Sequence, residues 1–264
     1  LERDNYADNS DNIQQFLAFL WDIGLEVGHS VRSIRECRVQ AELDVTIVTA
    51  MLEARTLCGD ESLQEKMRER ISIKKIWPAK KFFQAKVAEQ KDRHRKSEYT
   101  EYSLEPDIKV SPGGLRDIQT IMWIANRHFG IEKFSDLVKQ KILTRNESQQ
   151  LSESLSLLWK IRCGLHIIAG RDDNRLLFEH QRTLAGIFGF EDSNQLAVEQ
   201  FMQVYYRLAM QVRANNDLLL QYFEEVILRS NDQQRVVTIN ERFQTCDNYI
   251  ETTGPNIFKK TPTA

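Results

Sequence analysis

The stretch QLAVEQFMQVYYRLAMQVRANNDLLLQYFEEVIL, Gln195 to Leu228, decides the fold class. Val198, Phe201, Met202, Tyr205, Leu208, Ala209 and Val212 recur at the i, i+3, i+4, i+7 spacing of one helical face, and Leu219, Phe223 and Val226 extend the stripe. The prolines stand at 78, 106, 112, 255 and 262, so nothing from Gly113 to Gly254 breaks a helix by removing its N–H. The spacing therefore predicts one helix over most of residues 195–228. Leu151, Leu155, Leu158, Ile161, Leu165 and Ile168 form a second stripe, and Leu115, Ile118, Met122, Ala125 and Phe129 a third. Each of these faces needs a partner, which makes the bulk of the chain a helical bundle.

Working outward, the front of the chain reads differently. Ile13 to Trp21 has helical spacing, Gly24 ends it, and Leu25 to Val31 alternates as a strand does. Alternation puts Leu25, Val27, His29 and Val31 on one face and Glu26, Gly28 and Ser30 on the other, giving Glu26 a defined direction. Past Ser230 the periodicity disappears into short, polar, turn-rich sequence, which reads as an extended connector. The expected division is residues 1–60, then a helical domain over 61–229, then the connector over 230–264.

Composition narrows the function. With 41% hydrophobic and 28% charged residues the chain is an ordinary globular one, and no apolar run nears the roughly 20 residues of a membrane helix. The acidic, polar start LERDNYADNSDN is not a secretory signal, so the expected location is the cytoplasm. A net charge of −2 argues against a general nucleic-acid binder and makes any phosphate recognition local. Cys37, Cys58, Cys163 and Cys246 are widely spaced and read as reduced thiols, with no zinc or disulfide pattern. No CxxC pair, HExxH helix, P-loop or Ser-His-Asp arrangement is present.

The most specific string is EPDIKVSPGGLRDIQTIMWIANRHFG, Glu105 to Gly130. Pro112, Gly113 and Gly114 end an extended arm and begin a helix, where free N–H groups and the macrodipole favour a phosphate or carboxylate. Arg116 in the first turn is placed to reach such an anion, while Asp117 either caps the helix or pairs with Arg116 or Lys109. A well-capped helix with no ligand is an equally good reading of the same residues. In KKFFQAKVAEQKDRHRK, Lys80 to Lys96, Lys86 and Arg93 share a helical face and are candidates for a triphosphate pocket, Lys86 the stronger. Arg162 and His166, one turn apart, and the segment Asp172 to Arg175 read as a buried polar network that fixes helix packing, and His29 as structural.

PGGLRDIQ with the preceding EPDIK, together with FLWDIGLEVGHSVRS, KVAEQKDRH and DDNRLLFEHQ, closely resembles the bacterial PII uridylyltransferase/uridylyl-removing enzyme family, in unbroken order from Phe16 to about Leu228. The resemblance implies a mainly α chain: a helical bundle preceded by a remnant of a polymerase-β-like nucleotidyltransferase α/β domain. It further implies UMP transfer from UTP to a tyrosine of the PII signalling protein, with Mg²⁺ or Mn²⁺, and uridylyl removal by an HD-type domain beyond this chain. By position on the LEVGHSV segment, Glu26 corresponds to the third catalytic, metal-binding carboxylate, the family's Asp-x-Asp pair lying ahead of residue 1. Gly113, Gly114, Arg116 and Lys86 become candidates for nucleotide binding, with Asp107, Lys109 and Asp117 orienting them. Because one carboxylate cannot hold two divalent ions, this chain alone is expected to be inactive. Two other readings stand beside this one: an adenylyltransferase of the glutamine synthetase-modifying type, which shares a GG-x-RDI-like turn, and a non-catalytic helical interaction module.

Overall fold

The computed structural model describes residues 9–97, 104–228, 236–246, 249–254 and 257. Ten α-helices lie among them: α1 (Ser10–Asp22), α2 (Ile34–Leu43), α3 (Val45–Leu52), α4 (Glu61–Arg70), α5 (Ala79–Ser97), α6 (Leu115–Phe129), α7 (Phe134–Lys139), α8 (Arg145–Ala169), α9 (Phe178–Ile187) and α10 (Ala197–Leu228). The chain is mainly α, and the three stripes read from spacing fall on α10, α8 and α6. Two compact units are distinguishable, Leu1–Gln221 and Tyr222–Ala264, the first running unbroken through residue 60.

Helix α6 is the centre of the first unit. Leu115, Ile118, Ile121, Ile124 and Ala125 are buried, as are Asp117, Thr120, Trp123 and Arg127 on its other sides. A helix buried nearly all round has neighbours on every face. Helix α5 packs along it with Phe82 and Phe83 buried, and α8 packs with Leu151, Leu158, Ile161 and Leu165. Gly130, at φ 68°, ends α6 in a left-handed cap.

Buried polar groups fix the positions of the smaller helices. Arg127 is 6% exposed and has no carboxylate partner among the described residues. Its guanidinium donates to the carbonyls of Ile71 (2.6 Å), Ile76 and Trp77 (3.2 Å), tying the turn after α4 to the end of α6. Desolvation lowers its pKa to about 10, so it stays charged at neutral pH and needs those carbonyls. Trp77 in turn donates its indole N–H to Ala41 O on α2 at 2.7 Å.

Thr144 and Glu147 close a capping box on α8: Thr144 Oγ1 accepts the Glu147 N–H at 3.2 Å, and the Glu147 carboxylate accepts the Thr144 N–H at 2.7 Å. Hydrogen bonds from the Thr144 backbone and side chain hold the Glu147 carboxyl below its ordinary value of 4.5. A carboxylate with a depressed folded pKa stabilises above the unfolded value and loses that contribution as pH falls through the folded one. Thr144→Ala should therefore cost about 1 kcal/mol near neutral pH, and less in acid. Chemical denaturation at the two pH values measures this; equal losses would remove Glu147 from the explanation.

Three sequence expectations change. Leu25 to Ser33 is extended but joins no sheet, because no strand lies beside it among the described residues to complete a ladder. The predicted α/β character of residues 1–60 is thus absent from the described residues. Helix α1 buries none of its residues, and Phe16, Phe19, Trp21 and Leu25 are exposed. The supposed connector instead contains a meander of β1 (Val236–Thr238), β2 (Phe243–Cys246) and β3 (Tyr249–Thr252), antiparallel in the order β1-β2-β3. Asn240 makes its first turn by accepting the N–H groups of Arg242 (2.8 Å) and Phe243 (2.9 Å), a local bond that needs no helical periodicity.

Candidate functional site

Two of the most specific sequence signatures meet in space. The arm 105–111 runs beside residues 172–176 in an isolated antiparallel bridge, Asp107 opposite Arg175. Ile108 N donates to Asn174 O and Leu176 N to Pro106 O, each at 2.9 Å. The Glu105 carboxylate accepts the Phe178 N–H at 2.9 Å, at the start of α9, where a negative charge is favoured. Asp107 Oδ1 accepts the N–H groups of Lys109 (2.8 Å) and Val110 (2.9 Å), bending the arm toward α6. Asp107 thus holds the bend of the arm, whereas the Lys109 side chain lies close enough to Asp172 to favour its charged form.

The turn into α6 is closed by its own chain. Gly114 N donates to Ser111 O (2.9 Å), Leu115 N to Ile108 O (3.0 Å), Arg116 N to Lys109 O (2.9 Å) and Asp117 N to Gly114 O (3.1 Å). Gly113 N donates to Asp117 Oδ2 at 2.8 Å. The Gly113 and Gly114 amides, where an anion was expected, thus donate to acceptors of the chain itself. The glycines answer a steric demand. Gly113 has φ +79°, and a Cβ there would lie 2.1 Å from Ala209 O on α10; at Gly114 it would lie 2.7 Å from Ile108 O.

Asp117, fully buried, is the centre of this turn. Besides Gly113 N, its carboxylate binds the Arg93 guanidinium and lies 2.9 Å from His94 Nε2. It therefore joins α5 to α6: the partner expected in Arg116 or Lys109 is instead Arg93 with His94, both from α5. His94 was not foreseen. Its signal, a His one residue after Arg93, is indistinguishable in sequence from a solvated helix end.

Lys86 is 1% exposed, pairs with Glu89 at 2.6 Å, and lies 4.3 Å from the centre of the Trp123 ring. Desolvation lowers its pKa, and Arg93 and Arg116 act in the same direction. The Lys86 ammonium is enclosed by protein. The Arg116 guanidinium flanks the same ring at 5.2 Å, and Trp123 Nε1 donates to Glu53 at 2.8 Å. Trp123 thus links α3, α5 and the start of α6.

Arg162 Nε donates to Asn174 Oδ1 at 2.8 Å, and Asp172 meets His166 at 2.9 Å and Arg162 at 3.3 Å. This polar network exists as expected, half exposed rather than buried, and its hub is Asn174, whose backbone also carries the bridge. Glu26 lies exposed on the extended segment after α1, and Trp21 rests edge-on against His29 at 5.7 Å. Among the described residues no group of three His, Cys, Asp or Glu side chains is placed to hold a metal ion. Glu26 alone does not fit a metal site. Among the described residues no helix is long and apolar enough to cross a membrane.

At 48% identity over the whole chain, the protein is similar to the bifunctional uridylyltransferase/uridylyl-removing enzyme of Pseudomonas aeruginosa (strain UCBPP-PA14), covering 29% of that protein. The enzymes of the same name from Pseudomonas savastanoi pv. phaseolicola (strain 1448A / Race 6) and Pseudomonas putida (strain GB-1) are each 49% identical, over 100% and 96% of the chain and 29% and 28% of their own lengths. The chain thus spans under a third of the curated relatives it matches. The family model for the GlnD PII-uridylyltransferase matches residues 81–220, from the start of α5 to near the end of α10, the span that holds the Asp117 centre, the arm and its bridge; the chain belongs to that family.

Proposed function

We propose that this chain is the helical part, with the preceding Glu26 segment, of an enzyme that transfers UMP from UTP to a tyrosine of PII. The observation that carries the reading is the family match over residues 81–220, the span that builds the arm, the glycine turn and their helices. In this reading α6, α8 and α10 are a rigid frame. Gly113, Gly114, Asp107 and Asp117 keep it in register, Arg116 faces the nucleotide phosphates, and Glu26 on its exposed segment serves the reacting groups as a carboxylate. The divalent ions such a transfer uses, Mg²⁺ or Mn²⁺, would require carboxylates in addition to Glu26.

The test uses the full-length protein with PII and UTP. Glu26→Gln should lower transfer by roughly 10²-fold or more, in the range for losing a positioned carboxylate, with the melting temperature unchanged because Glu26 is exposed. Arg116→Ala should raise the KM for UTP about tenfold. The isolated 264-residue chain should transfer no UMP. Transfer by Glu26→Gln within threefold of wild type removes Glu26 from the site, and turnover by the isolated chain overturns the division of labour.

A further inference from the structure

Trp77 combines two features that backbone sterics disfavour. Its φ is +43°, in the left-handed region that a bulky side chain rarely adopts, and it precedes Pro78, which favours an extended backbone at the residue before it. Strain of this kind persists only where the surroundings enforce it, and it gathers at positions that serve a function. Here the enforcing group is Arg127 on α6. Its guanidinium donates to the Trp77 carbonyl from Nη2 at 3.2 Å and from Nε at 3.3 Å, and to the Ile71 and Ile76 carbonyls beside it.

The strained backbone delivers the indole to α2. Trp77 Nε1 donates to Ala41 O at 2.7 Å. That carbonyl lies in the last turn of α2, where carbonyls lack partners within the helix, and Ala41 is the buried residue of α2. Helix α2 also packs on α3 and α4, but α4 buries none of its residues. At its other end α2 starts from Ser33, 1% exposed, in a capping box: Ser33 Oγ accepts the Glu36 N–H at 3.3 Å, and Glu36 Oε2 accepts the Ser33 N–H at 2.8 Å. Ser33 is the first buried residue of the described chain, so the stretch 25–32 that carries Glu26 departs from a fixed point at the head of α2.

We propose that Trp77 is a positioning residue for the transfer reaction: clamped by Arg127, it sets the tilt of α2 and with it the direction of Glu26. The proposal rests on the reading of Glu26 as a carboxylate of the reacting site. The lever is short and stiff. A helix of the length of α2 spans about 15 Å, so a tilt of about 5° at the Ala41 end moves its head by roughly 1 Å. A displacement of about that size at reacting groups costs up to about 10²-fold in rate. If the indole bond only stabilised the fold, its loss would lower the melting temperature and leave the turnover of folded enzyme unchanged.

The test is Trp77→Phe, which keeps a ring and removes the N–H, in the full-length protein with PII and UTP well below its melting temperature. It should lower kcat roughly tenfold with the KM for UTP within about twofold of wild type. Hydrogen exchange followed by mass spectrometry should show the α2 amides exchanging about fivefold faster, the loosening expected from one lost hydrogen bond. The double variant Trp77→Phe/Glu26→Gln should be no slower than Glu26→Gln alone, because Trp77 acts through that carboxylate. An unchanged kcat in Trp77→Phe, or losses that multiply in the double variant, overturns the proposal. The two readings fail separately: a slow Glu26→Gln with a normal Trp77→Phe removes Trp77 alone, whereas Glu26→Gln at the wild-type rate removes Glu26 and the route through it.

Discussion

Gly113→Ala should lower the melting temperature by about 10 °C, corresponding to a loss of roughly 4 kcal/mol in a unit of this size. Two costs combine. At φ +79° an L side chain is strained, by about 1 kcal/mol for alanine. The larger cost is that the new Cβ would lie 2.1 Å from Ala209 O and 2.8 Å from Ala209 Cα, backbone atoms of α10 that no rotamer change can move aside. The α6 turn and α10 must separate, which also disturbs the Gly113 N–H to Asp117 bond at the centre of the turn. Gly130→Ala is the internal control: its φ of +68° carries the same strain, but nothing lies within 4 Å of the added methyl. Thermal unfolding followed by circular dichroism compares the two. If Gly113→Ala costs no more than Gly130→Ala, the close approach of the turn to α10 is not what requires glycine.

What could be read from the sequence follows from the range of the interactions. Helices α6, α8 and α10 announce themselves because their buried residues repeat within the helix, as Leu151, Leu158, Ile161 and Leu165 do. Gly24 also behaved as read, with φ +83° after α1. Leu25 to Val31 misleads because alternation describes which way side chains point; it does not supply the neighbouring strand that a ladder requires. The meander was hidden for the opposite reason: three- and four-residue strands leave too few positions for any period to register.

The site was legible in its residues and not in its pairings. The sequence marks Gly113, Gly114, Arg116 and Asp117 as unusual, and the structure puts three of them at a joint between helices. Helix propensity and capping rules look no further than a few residues, so they assign Asp117 to its own turn. Its actual partners, Arg93 and His94, lie 24 and 23 positions away on another helix. The same limit explains Lys86: spacing places it beside Arg93, but only the packing of Trp123 against α5 shows that the ammonium is enclosed.

Asp117→Ala should be the second severe substitution, at about 3–5 kcal/mol, because it strands charge as well as removing bonds. Arg93 is largely buried, its guanidinium pKa already lowered by desolvation and supported chiefly by Asp117. Without the carboxylate it keeps the desolvation cost and loses the compensating charge, while Gly113 N–H loses its acceptor. Asp117→Asn retains one acceptor oxygen but turns an amide N–H₂ toward a ring of donors, so it should recover only part of the loss. The decisive comparison is a double-mutant cycle with Arg93→Met, which removes the charge while keeping most of the side-chain volume. If Asp117 acts mainly by neutralising Arg93, Asp117→Ala should cost at least 1.5 kcal/mol less in the Arg93→Met background than alone, a coupling expected for contacting buried charges. Equal costs in the two backgrounds would leave the Gly113 amide and His94 as the partners that matter, and the joint between α5 and α6 would then rest on neutral hydrogen bonds instead of an ion pair.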